Sequence, residues 1–155
     1  VLATGVEELK YCALGDWGGV AFTDPENPPT PEDVVAQDGA PGLVREMARV
    51  QYERKEWVVE DVNGTIQHAG VKYSVSSTRT NKMIYFFKFT RDQAKAFTIR
   101  EVAYFADKAA TVGGVPYAET GEVSVLGTCI CIVHVPAARA KADDEEYTPQ
   151  YLVTK

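Results

Sequence analysis

Between Arg49 and Val135 the chain is written in short runs of β-branched and aromatic residues, most of them closed by turn-forming residues, and this constrains the fold more than any other feature. From Arg49 such residues accumulate through Val59. In Ile66 to Val75, Val71, Tyr73 and Val75 alternate with polar neighbours, as in a half-buried strand. Met83 to Phe89 and Ala96 to Phe105 are apolar and aromatic, and Val123 to Val135 is a long β-branched run. The expected fold is therefore mainly β: a β-rich α+β, antiparallel sandwich-like domain with one or two short helices and a long Pro-rich loop.

Local signals place the connections. Val6 to Leu14 reads as a strand broken by Gly15-Asp16-Trp17-Gly18-Gly19, where glycines supply positive φ and Asp16 bonds forward to the backbone. Phe22 to Pro41 contains Pro25, Pro28, Pro29, Pro31 and Pro41 and reads as an extended surface loop. Within it Thr30-Pro31-Glu32-Asp33 starts a short helix ending near Asp38-Gly39. Leu43, Val44, Met47 and Val50 predict a short amphipathic helix or turn over Gly42 to Ala48. Val62-Asn63-Gly64-Thr65 predicts a two-residue type I′ hairpin. Residues 1–136 form the expected β-rich domain, and 137–155 a C-terminal extension with an acidic run, Asp143 to Glu146. Its last segment, Thr148 to Thr154, is expected either to add to a neighbour's sheet edge or to pair within its own domain.

Composition removes several function classes. A chain of 155 residues buries roughly two thirds of its unfolded surface, enough for one core without staples. A net charge of -6 disfavours a nucleic-acid partner, which needs clustered Lys and Arg. No run approaches the roughly 20 apolar residues of a membrane span, and VLATGVEELKY lacks the basic start and apolar run of a secretory signal. Cys12, Cys129 and Cys131 are odd in number and read as buried reduced thiols, with pairing of Cys12 to either of the others left open. On a regular strand Cys129 and Cys131 face one way and His134 the other, which excludes a shared metal.

His68 and His134 are the only histidines, and no H-E-x-x-H, G-x-S-x-G or Cys-x-x-Cys accompanies them. The Gly-rich turn also lacks the spacing of a phosphate loop. No catalytic, cofactor or metal residue is assigned, and no enzyme activity is expected. Glu101 stands out because it lies in an apolar strand, on one face with Ile99, Ala103 and Phe105. A carboxylate there needs a partner, and Arg45 or Arg49 is the expected one, giving Arg49 and Glu101 a structural role. Tyr85, Phe86, Phe87, Phe89, Phe97, Tyr104 and Phe105 read as core. Trp17, on its turn, reads as an interface anchor, together with Pro28, Pro29, Tyr147 and Tyr151.

Three strings bear on function: Leu9 to Gly19, with Leu14, Gly15, Asp16, Gly18 and Gly19; Leu43 to Val50, with Leu43, Glu46 and Arg49; and Phe97 to Ala106, with Ile99, Glu101, Val102, Ala103, Tyr104 and Phe105. In this order they resemble the N-terminal attachment domain of bacteriophage tail-fibre and tail-collar proteins. The family usually has Gly where Ala103 stands, and its fibres continue into a shaft beyond the point where this sequence ends. The resemblance implies a structural virion protein of the tail, at the baseplate or fibre attachment site, acting by protein contacts in assembly and host attachment. It also implies tail, baseplate or fibre proteins as partners, a symmetric homo-oligomer in the particle, and assembly in the host cytoplasm. A carbohydrate-binding β module for host-surface recognition is the alternative, marked by exposed aromatics in a shallow groove.

Overall fold

The structure, a computed structural model, describes residues 9–19, 22–24, 27, 43, 45–106 and 109–154. The apolar runs become strands: β1 (Leu9–Gly15), β2 (Glu46–Gln51), β3 (Arg54–Glu60), β4 (Ile66–His68), β5 (Val71–Val75), β6 (Lys82–Phe86) and β7 (Thr98–Ala106). Then follow β8 (Ala110–Thr111), β9 (Tyr117–Glu119), β10 (Val123–Val125), β11 (Thr128–Ala140) and β12 (Gln150–Thr154). One five-stranded sheet has the order β11-β7-β1-β2-β9, a second has β12-β6-β3-β5-β4, and β10 pairs with β8. Every named pairing is antiparallel, so the chain is mostly β as its residue pattern requires.

The two sheets bury one core between them. The first contributes Leu9, Cys12, Leu14, Val50, Val102 and Tyr104, and the second Met83, Tyr85 and Phe87, with Val153 packed alongside. The first sheet is also covered on its other face, where Tyr11, Ala13, Ala103, Phe105 and Ile132 meet Leu43 and Trp17. Burial on both faces explains the near-continuous apolar writing of β1 and β7, and each fully buried Phe or Leu contributes about 2 kcal/mol. The chain passes between sheets at a corner, where Tyr52 N–H donates to Lys10 O (3.1 Å) and Glu53 N–H to Phe86 O (2.8 Å).

Several expectations are corrected. Glu46 to Ala48 belong to β2, held between β1 and β9, so tertiary pairing overrides the helical spacing behind the helix or turn expected over 42–48. Among the described residues, helix is confined to 3-10 turns at Trp17–Gly19 and Val112–Gly114. The helix expected after Thr30 lies outside the described residues. Asn63-Gly64 is not a type I′ hairpin: neither residue has positive φ, and β3 pairs with β5 rather than β4. Asp61 closes that turn, accepting from Gly64 N–H (2.8 Å) and, through its carboxylate, from Asn63 N–H (2.9 Å) and the Ser74 hydroxyl (2.6 Å). The tight turn is Ala69-Gly70, with φ of 47° and 80°, joining β4 to β5.

A register shift between Cys129 and Cys131 puts the two thiols on opposite faces, Cys131 in the inter-sheet core and Cys129 with Ile132. Ile99 likewise packs with Val102 and Tyr104 rather than with Ala103 and Phe105. Position 137, taken as the start of an extension, falls inside β11. The terminal segment is a strand of its own domain, since β12 pairs with β6.

Candidate functional site

The residues of the three strings meet at the end of β1. In the strand order β11-β7-β1, Gly15, Glu101 and His134 lie directly across from one another. A Cβ on Gly15 would sit 2.7 Å from Glu101 Oε2 and 2.9 Å from Arg45 O, so only a glycine leaves room for the carboxylate. Glu101 is fully buried. Its Oε2 accepts from Trp17 N–H (3.3 Å), and its Oε1 lies 3.9 Å from His134 Nε2. Desolvating a carboxylate costs several kcal/mol, and this cost is offset only by such directed partners.

The turn above Glu101 is strained. Trp17, Gly18 and Gly19 have φ of 57°, 68° and 80°, and for Trp17 the left-handed region costs about 1–2 kcal/mol. Three contacts hold it there. Its N–H is taken by Glu101, while its indole packs edge-on against Phe22 (5.2 Å between centroids) and the His134 ring (5.3 Å). Asp16 fixes the base of the turn: its carbonyl accepts from Gly19 N–H (3.1 Å) and Arg100 Nη1 (3.1 Å). Its carboxylate receives Arg45 Nε (2.9 Å) and pairs with Arg45 Nη2. The Arg45 hydrogen bond holds the Asp16 carboxyl below its ordinary range, against a smaller opposing effect of burial.

Arg49 is a second brace. Its guanidinium, wholly buried, lies over the rings of Phe105 (4.6 Å) and Tyr11 (5.3 Å). It donates to both carboxylate oxygens of Glu46 (2.8 and 2.6 Å) and to Leu126 O (3.1 Å). The expected partnership is thus redistributed: Arg49 serves Glu46, Arg45 serves Asp16, and Glu101 faces His134 and the Trp17 amide. Both structural candidates are buried, Arg49 on β2 between β1 and β9 and Glu101 on β7 between β1 and β11.

The other candidates are placed differently. Tyr147 packs beside Phe89 (6.2 Å), and Tyr151 lies against Tyr104 (4.6 Å), so both line the inter-sheet core. Trp17 is half-buried, and Pro28 and Pro29 lie outside the described residues. His68 sits on the edge strand β4. Burial pushes the Cys12 and Cys131 thiols up and takes Cys129 to about 11, which makes all three poor nucleophiles. Among the described residues no group of His, Cys, Asp and Glu is arranged to hold a metal.

Sequence reasoning missed Asp16–Arg45, Arg100 and His134. The first requires the end of β1 to lie beside the start of β2, the second requires it to lie beside β7, and the third requires the β11 register, which a bulge sets. Chemically the arrangement braces a turn. Glu101 and His134 have side-chain exposures of 0% and 4%. No protein-family model matches the chain, and no curated protein matches it.

Proposed function

We propose that the chain is a structural part of a bacteriophage tail, at the baseplate or fibre attachment point, working through protein contacts in the virion. One observation carries the reading. Polar residues from strings far apart in the sequence meet at the end of β1, where Asp16 takes Arg45 and Glu101 takes the Trp17 N–H, and Trp17 is held strained and half-buried against Phe22 and His134. Strain stored in a cross-braced turn rather than at a reactive group suits a presented contact loop.

The exposed large apolar side chains among the described residues support contact with protein over contact with sugar. They are aliphatic, such as Val62, Val75, Val112 and Val133, while the aromatics stack on one another inside. In this reading the neighbours are other tail, baseplate or fibre proteins, and particle symmetry multiplies modest interfaces. Quantitative mass spectrometry of gradient-purified particles tests it: the chain is expected at a fixed integer ratio to the major tail proteins. Its absence from such particles ends the reading.

A further inference from the structure

β12 is a sheet edge without the usual guards. Among the described residues of the second sheet it pairs with β6 alone, in unbroken register from Gln150↔Phe86 to Thr154↔Lys82. Phe87 N–H donates to Pro149 O (3.0 Å), so the bonded pairs of this ladder are Tyr151/Tyr85 and Val153/Met83. Gln150, Leu152 and Thr154 therefore direct their backbone N–H and C=O groups away from β6. The Tyr104 hydroxyl reaches one of them, Gln150 O, at 3.3 Å. Among the described residues no backbone partner is seen for the outward groups of Leu152.

The other edges carry protection. β4 and β9 are three residues each, and β11 carries Pro136 and two register shifts. β12 has no proline, bulge or charge over Gln150–Thr154. This neutrality selects the occupant. The chain carries 22 acidic against 16 basic residues, a net charge of -6 that opposes self-association in general, so contact between two copies is least opposed along an edge that carries no charge. An antiparallel two-fold pairing centred on Leu152 sets each Leu152 N–H against the C=O of the same residue in the other copy, with Gln150 opposite Thr154 on both sides.

We infer that the outward edge of β12 is a self-association site, where a second copy of this chain pairs its own β12 antiparallel and joins the β12-containing sheets of the two copies into one. The inference deepens the assembly role proposed above and rests on that reading only for its biological setting.

Sedimentation velocity of the chain, with Gln150→Glu/Thr154→Glu and Gln150→Lys/Thr154→Lys double variants, tests it. The unaltered chain is expected to dimerise at about 100 µM, and each double variant to bind itself at least about tenfold more weakly, because like charges then face each other twice. Mixing the acidic and basic variants is expected to restore a heterodimer, which loss of folding would not do. Circular dichroism checks that both variants remain folded. A monomeric unaltered chain at about 1 mM, variants that dimerise as tightly as it does, or failure of the mixture to associate overturns the proposal. Particle composition decides the virion reading separately.

Discussion

Two turns of this molecule carry the same local writing, an aspartate near a glycine, and are built into the fold differently. In the turn after β1, the Asp16 carbonyl accepts from Gly19 N–H. In the turn after β3, the Asp61 carbonyl accepts from Gly64 N–H. Each has a glycine that is needed for space, since Gly15 and Gly64 both lack positive φ. A Cβ on Gly64 would lie 2.2 Å from Tyr73 O, closer than any contact that a Cβ on Gly15 would make. Yet Gly15 stands in β1, at the centre of a sheet buried on both faces, whereas Gly64 leads into β4, an edge strand of three residues. The weight of a tight contact depends on whether its surroundings can move away.

Gly15→Ala should therefore have the larger effect, although its clash is milder. The added methyl meets the Glu101 carboxylate and the Arg45 carbonyl; the first cannot retreat without breaking the row Gly15–Glu101–His134, nor the second without losing the Asp16 N–H. A loss of about 3 kcal/mol in denaturant unfolding is expected. Gly64→Ala should cost about 2 kcal/mol or less, because β4 and β5 can peel from β3 at the sheet edge. Amide exchange would show this as faster exchange confined to Ile66–Val75. Equal global losses, or a larger one at Gly64, would break the comparison.

Glu101→Gln sharpens it on the β1 side. Glutamine keeps an acceptor for the Trp17 amide and removes the charge beside His134, so the loss isolates the electrostatic part of the brace. About 1 kcal/mol is expected in thermal unfolding, together with altered near-ultraviolet signal from Trp17. No change in either would reduce Glu101 to a space-filler.

The strands were legible because burial on one or both faces imposes a residue pattern that survives any topology. β5, β6, β7 and most of β11 fall where the β-branched and aromatic runs lie. The partners were not. Glu101 was recognisable as a carboxylate in need of company, but its company was decided by which strands are neighbours, and the β11 register that supplies His134 depends on a bulge. Asn63-Gly64 misled because its glycine answers a long-range approach by Tyr73, while the positive φ fell to Ala69, a residue with no signal for it. The segment at 42–48 shows the same limit, since the spacing of Leu43, Met47 and Val50 is helical and the neighbours on either side of β2 make it a strand.

The smallest effect expected is the pH dependence of the Asp16 brace. The hydrogen bond from Arg45 lowers the Asp16 carboxyl from its ordinary value of 3.8 in the folded chain. As pH falls, the unfolded chain takes up this proton first, so stability from the pair is fully present above about 4 and drains away below it until the folded carboxyl protonates as well. Arg45 is half-exposed, with a side-chain exposure of 49%, so solvent and salt screen the pair and its contribution is small. Asp61 is also held low, first by the Ser74 hydroxyl and then by the Asn63 amide, so both turns loosen in the same window and a global melting curve cannot separate them. Arg45→Gln can. It should flatten the acid limb measured through Trp17 and leave the limb measured by Ile66–Val75 amide exchange in place. Flattening of both would mean that the two turns are coupled through the core.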